Sequence, residues 1–265
     1  MPILKRKDEG MTQSKFKDHF SVQSKNYADY RPRYPEQLLQ LLSGLAPARN
    51  VVWDCACGTG QLSVPLTEYF EHVIATDGSA EQIMQAEPNE YVEYHVALAD
   101  QAPLAAQSVD LITVAQAAHW FDLEKFYLEA RRVAKPNAVI ALISYGIFYV
   151  EDEQINQVLQ HFYHNVVGQY WPPERRHVEN GYQELSFPFD AIELPLIEMD
   201  EAWSLEQLIG YISTWSAIKV ARQQLNDDPI EALQMQLESI WGGNQIKRSV
   251  IWPLTLKVAV MGSSI

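Results

Sequence analysis

The stretch Val51 to Gln61 reads V-V-W-D-C-A-C-G-T-G-Q and brings together the residue types most able to do chemistry in this chain. Val51, Val52 and Trp53 form a short apolar, β-favouring run that ends in Asp54. A loop of small residues follows, Cys55-Ala56-Cys57-Gly58-Thr59-Gly60, and then an amphipathic stretch with Leu62, Val64, Leu66 and Phe70. Strand, small-residue turn and helix form the unit that presents a ligand to free N–H groups at a helix N-terminus, with glycines letting the backbone come close. Two ligands suit such a loop. A dinucleotide asks for G-x-G-x-x-G, but Ser63 stands where the third glycine belongs, and Asp54 would repel a pyrophosphate. An adenosyl amino acid suits Asp54 better, because its ammonium is a cation.

Further acids fall at regular intervals. Val73 to Thr76 reads as a second strand ended by Asp77-Gly78-Ser79, and an acid there can accept from both ribose hydroxyls. Tyr91 to Val96 alternates like a strand and leads to Ala99-Asp100-Gln101. Val109 to Val114 is a buried-strand run ending in Ala115-Gln116-Ala117-Ala118-His119-Trp120-Phe121-Asp122.

This succession resembles the class I S-adenosylmethionine-dependent methyltransferases. D-C-A-C-G-T-G-Q is similar to their first motif, Asp77 to their second-strand acid, and Asp100 to their acid near the adenine. The A-Q-A-A-H-W-F-D run, with Y-A-D-Y-R-P-R-Y-P upstream and T-W-S downstream, resembles the branch that contains trans-aconitate methyltransferase. The likeness runs from about Phe16 to about Val260. Ala56 departs from it, since the wider family has glycine there; if the position needs a positive φ, alanine costs stability.

The resemblance implies a cofactor site and an acceptor site. Asp54, Ala56, Gly58, Gly60, Gln61, Asp77, Gly78, Gln82, Ala99, Asp100, Gln101 and Gln116 are the expected cofactor residues. In it, Asp54 takes the amino group, directly or through water, Asp77 the ribose and Asp100 the adenine amino group. Gln82 stands where an apolar residue often meets the adenine, and Gln116 faces the methionyl part. His119 and Trp120 are the expected catalytic pair. A histidine serves as a base or as a donor to an anion, and an indole face packs against a sulfonium methyl. Alternatively, His119 caps the following helix and Trp120 is core. On the acceptor side stand Tyr27, Tyr30, Arg31, Tyr145, Arg176 and Trp215. Arginines at 31, 33, 175 and 176 are candidates to clamp an acidic acceptor, with 33 and 175 read as solvated surface.

The elements that must position these groups alternate. Strands are expected at 50–54, 72–76, 91–96, 108–114 and 138–144, and helices at 60–70, 79–87 and Leu123 to Ala134. Such alternation predicts an α/β fold with a parallel sheet and right-handed crossovers, whose ligands lie beyond the carboxyl ends of the strands. Beyond Ser144, residues 151–170 read as a helix and 174–182 as a polar loop. Residues 187–199 read as a strand, and 203–220 as two short helices. Asp227-Asp228-Pro229 starts a helix that stops at Gly242-Gly243. Ser249 to Met261 is a last strand. The resemblance makes this a Rossmann-like, seven-stranded, mostly parallel sheet with helices on both faces and a helical cap. Its parts are a disordered tail at 1–15, lid helices at 16–48, a core of 49–145, 187–199 and 247–265, and cap insertions at 146–186 and 200–246.

Composition narrows the function. The 265 residues carry net charge −14, which argues against nucleic acid. Residues 1–34 hold eight Lys and Arg against four Asp and Glu, a net +4 that leaves −18 for the rest. No apolar run approaches the ~20 residues of a membrane helix, and the start has no secretory pattern, so a cytoplasmic location is expected. Cys55 and Cys57 are the only cysteines, too few for a metal centre, and no metal is expected. The expected reaction is methyl transfer to a small molecule, with a carboxylic acid leading. A carrier-bound acyl or lipid- or quinone-like acceptor, and a cofactor-binding protein without catalysis, are the alternatives.

Overall fold

The computed structural model describes residues 31–243 and 245–262. The tail at 1–15, the start of the lid, and Tyr27 and Tyr30 lie outside the described residues. Five strands run parallel: β1 (Val51–Cys55), β2 (His72–Asp77), β3 (Val92–Val96), β4 (Val109–Ala115) and β5 (Ala134–Tyr145). Their order is β3-β2-β1-β4-β5. β1 and β4 are buried almost throughout, as befits parallel strands covered on both faces. Alternation splits their side chains between two cores. Val52, Leu111, Val139 and Ala141 face one, and Trp53, Ile112, Ile140 and Leu142 face the other.

The sheet has eight strands where seven were expected. The long β8 (Arg248–Val260) pairs antiparallel with β5 through 254–260. Its first half is sandwiched between two short strands, β6 (Tyr149–Val150) and β7 (Glu198–Trp203), which meet Ile251 from opposite sides. β6 is therefore the column of β5 resumed after a three-residue break at 146–148, which accounts for the additional strand.

The helices are α1 (Glu36–Leu45), α2 (Ser63–Leu66), α3 (Ala80–Met84), α4 (Leu123–Val133), α5 (Glu153–His161), α6 (Arg175–Glu179), α7 (Leu205–Ser213), α8 (Ser216–Gln224) and α9 (Pro229–Trp241). Capping explains several boundaries. Asp122 accepts from the Lys125 amide at the start of α4, Asp228 from the Ile230 amide at the start of α9, and Ser204 forms a capping box with Gln207. Gly242 closes α9 at φ 94°.

Four expectations need correction. The helix expected at 60–70 is regular only over α2. Pro65 supplies no N–H, and the turns after it tighten to Thr67 N on Val64 O and Glu68 N on Pro65 O. The helix expected at 79–87 is regular only over α3, ahead of Pro88. The strand expected at 187–199 is irregular until Glu198, because Pro188 and Pro195 cannot feed a ladder. Only isolated bonds such as Ile192 N to Val258 O tie it to β8. The polar loop expected at 174–182 contains α6, followed by a left-handed turn at Gly181 and Tyr182.

Candidate active site

The strand order reverses between β1 and β4, and the ends of β1, β2 and β4 lie side by side there. This is where an open α/β sheet leaves a crevice. The loop after β1 turns by left-handed residues: Ala56 at φ 56°, Gly58 at 58° and Gly60 at 88°. Gly60 is constrained twice, because a Cβ there would come within 2.2 Å of the Tyr94 hydroxyl oxygen. Cys57 N donates to Thr76 O, and Gly58 N donates to Asp77 Oδ2 at 2.9 Å, so the loop is tied to the end of β2. Asp77 Oδ1 also accepts from Ser79 N at 2.8 Å, which fixes the carboxylate at the mouth of the crevice. Gln61 reaches the other way, its Nε2 donating to Pro32 O at 2.6 Å, and pins the N-terminal segment onto the loop.

Asp54 is placed differently from expectation. It is 1% exposed, and its oxygens accept from Ser63 Oγ at 2.6 Å and Thr113 Oγ1 at 2.8 Å. It braces β1 to α2 and β4, with each carboxylate oxygen engaged by a hydroxyl. Burial, with Asp77 nearby, lifts its pKa to about 6, against the pull of the two hydroxyl bonds. Ser63, which spoils the dinucleotide fingerprint, is thus the partner that Asp54 needs.

Beyond Asp77 a cleft of ≈ 420 Å³ is lined by Gly78, His95, Val96, Ala97, Leu98, Gln101 and Pro103. The half-buried Ala99 and Asp100 follow this lining in the chain but are not part of it. Gln82 is 5% exposed, and its Oε1 is buried beside Gly58 without a hydrogen-bond partner. A buried amide oxygen left in this way asks for a donor from a ligand. The glycine loop, that orphaned acceptor and the mixed polar and apolar cleft fit an adenosyl compound. Gln116 is also left-handed, at φ 56°, and its Nε2 donates to Tyr145 O at 2.8 Å across the ends of β4 and β5.

A second group of side chains gathers above β4 and β5. Arg31 donates to the Tyr145 hydroxyl at 3.2 Å, and Tyr145 meets Tyr34 edge-on. Arg175 donates from Nε to Tyr163 Oη at 2.8 Å and lies 4.8 Å over the Trp171 ring. Tyr163 in turn donates to Glu179 at 2.6 Å. Trp215 packs against Trp171, Tyr163, Phe148 and Tyr211. His119 stacks on Trp120 and places Nδ1 3.0 Å from the Tyr182 hydroxyl. Burial chiefly, then Arg175 and His177, lower its pKa to about 3, so the ring is neutral. Asp122 rather than His119 caps α4.

Arg175 and Arg176 exchange the places expected of them. The Arg176 side chain is 71% exposed and faces Glu184 at 3.9 Å, whereas Arg175 is the half-buried cation among the aromatic rings. Sequence reading also missed Tyr182, Tyr163, Trp171 and Tyr211. The Asn180-Gly181 pair before Tyr182 is a turn signal that pointed to the first of them.

Comparison with known proteins agrees with this geometry. The family described as a methyltransferase domain matches residues 53–142. A solved protein from Anaeromyxobacter dehalogenans, named as a type II methyltransferase, is 41% identical with a TM-score of 0.84, over 89% of this chain and 100% of that one. An uncharacterised methyltransferase of Mycobacterium tuberculosis is 26% identical over 213 residues, 80% of this chain and 82% of its own length. A Dictyostelium discoideum protein named as a methyltransferase is 35% identical over 229 residues, which is 85% of this chain and 87% of its own. Likeness at that level over nearly the whole length of both chains means that this one belongs to the class I S-adenosylmethionine-dependent methyltransferases, with S-adenosylmethionine as its cofactor.

Proposed function

We propose that this methyltransferase acts on a small carboxylic acid, of the kind taken by the trans-aconitate methyltransferase branch, in the cytoplasm. The observation that carries the reading is a pair of guanidinium groups from distant parts of the chain, each held on a phenol hydroxyl: Arg31 on Tyr145 and Arg175 on Tyr163. Two fixed cations over a floor of phenols and indoles favour an anion with an apolar body.

When bound, S-adenosylmethionine supplies a sulfonium methyl, which a carboxylate oxygen takes while the sulfur keeps the bonding pair and no proton moves. The glycine loop and Gly78 let backbone approach the cofactor. Asp77 accepts from its ribose, Gln82 takes a donor through its orphaned oxygen, and Ala99, Asp100 and Gln101 border the adenine. Gln116, with Gly58 and Gly60, borders the methionyl part, and Asp54 braces β1 to α2 and β4. Arg31 and Arg175 would orient the acid, Tyr145 and Trp215 would wall it, and Trp120 would offer its indole face to the sulfonium methyl. Alignment and exclusion of water supply the rate, since a carboxylate is already ionised at neutral pH.

The rings around Trp215 also support a second reading, an acceptor with a long apolar body such as a quinol or a carrier-bound acyl group. The test is incubation with S-adenosylmethionine and a panel of mono-, di- and tricarboxylates beside a short-chain quinol. S-adenosylhomocysteine and methylated product are followed by mass spectrometry. A methyl ester from one of the acids is the expected result. Methylation of the quinol alone overturns the acid reading and leaves the methyltransferase standing.

A further inference from the structure

The turn after α6 holds Tyr182 in a conformation that side chains avoid. Gly181 is at φ 62° and Tyr182 at φ 58°. A Cβ at residue 181 would meet Thr255 Oγ1 at 3.1 Å, so glycine is needed there, while Tyr182 holds its left-handed backbone as a bulky residue. The Tyr182 amide closes the turn onto His177 O at 2.7 Å, and the ring is carried fully inside, 0% exposed. Strain of this kind persists where the surroundings over-determine a position, and it collects at functional sites.

What the strain places is a hydroxyl. The Tyr182 oxygen lies 3.0 Å from His119 Nδ1. A buried O–H needs an acceptor. Among the described residues, the acceptor bonded to this one is Nδ1 of His119. Nδ1 is therefore the unprotonated nitrogen, and the ring proton sits on Nε2. Since His119 is only partly buried, Nε2 is the nitrogen left to meet a ligand.

We infer that Tyr182 is a positioning residue, holding His119 as a neutral Nε2–H donor, so that the enzyme takes an acceptor atom that arrives already ionised. His119 then steadies the acceptor by donating to it and removes no proton from it. This places phenols, alcohols and carbon acids outside the substrate class unless another group deprotonates them. The inference rests on His119 facing the acceptor, as in the proposed function. The charged and titratable groups around the ring act in the same sense: Arg175 and His177 on α6 both disfavour a second proton.

The test is a long-range proton–nitrogen correlation spectrum of the ¹⁵N-labelled full chain between pH 6 and 8, with the His119 signals assigned by their loss in His119→Gln. The expected result is one dominant tautomer, with Nδ1 bare and Nε2 protonated. Tyr182→Phe removes the hydroxyl that donates to Nδ1 and should give a mixture of tautomers. An Nδ1–H tautomer in the wild type, or an unchanged tautomer in a folded Tyr182→Phe, overturns the inference. If Tyr182→Phe does not fold, the wild-type spectrum decides alone. Adding a carboxylate from the panel with S-adenosylhomocysteine tests the underlying reading separately. An unmoved Nε2 signal would remove His119 from the acceptor site and leave its tautomer as found.

Discussion

Two aspartates, each 1% exposed, sit on the adjacent central strands β1 and β4 at opposite ends of the sheet. Asp110, at the amino end, accepts from the Asn50 and Val51 amides and from Lys135 Nζ at 2.8 and 2.9 Å. Its charge is matched, and it binds β1, β4 and β5 together. Asp54, at the carboxyl end, receives only two hydroxyls, and its pKa rises to about 6. The same residue type is a rivet at one end and a poorly compensated charge at the other. The difference lies in the neighbours: Lys135 snorkels to the Asp110 carboxylate, whereas Asp54 meets two hydroxyls and no cation among the described residues. Ala56 and Gln116 turn left-handed at the carboxyl end with Asp54, while Gln107 and Asn137 do so at the amino end with Asp110.

The comparison can be broken from either end. Removing the cation from Asp110 with Lys135→Met should have the largest effect, a loss on the order of 3 kcal/mol in denaturant unfolding. A loss below ~1 kcal/mol would mean that the two amides suffice and that the ends differ less than their bonding implies.

Asp54→Asn should act mainly through pH. An acid whose folded pKa of about 6 exceeds the unfolded 3.8 holds more protons when folded. Its contribution is therefore fullest below pH ~4, is lost as pH rises toward 6, and stays lost above. The stability of Asp54→Asn relative to wild type should climb by about 3 kcal/mol over that window. His119 titrates in the opposite sense, its stabilisation being lost as pH falls below its ordinary 6.5. Since both proteins retain His119, the difference between them isolates Asp54. A flat difference from pH 4 to 7 would place the two aspartates in the same class.

Ala56→Gly relieves a left-handed alanine and should raise stability by about 1 kcal/mol, read as a higher midpoint of thermal unfolding. A lower midpoint would mean that the methyl group packs usefully behind the loop. The smallest change is expected for Arg176→Ala, within ~0.5 kcal/mol in stability and without effect on the KM of the acid. Arg175→Ala should raise that KM at least tenfold. Equal effects from the two variants would erase the distinction between the half-buried and the exposed arginine.

Much of this was legible in the residues. The strand–loop–helix pattern, the acids at the ends of β1 and β2, and the proline and aspartate that open α9 are local signals, each with a local cause. The acceptor side was less legible because its residues come from six stretches separated by up to about 180 positions. No period or spacing links Arg31 to Tyr145 or His119 to Tyr182. Helical phase decided between Arg175 and Arg176: neighbours one residue apart point about 100° apart, and only packing against Trp171 and Tyr163 shows which faces inward.

By itself, then, the sequence determined the architecture, because alternation, glycine placement and capping act over a few residues, and its resemblance to a family supplied the class of cofactor. Only the tertiary structure decided that Asp54 is bonded to Ser63 and Thr113, that Arg175 is the half-buried cation, and that Tyr182 meets Nδ1 of His119. Burial and hydrogen-bond partners set charge and tautomer, and the partners here are far apart in the chain.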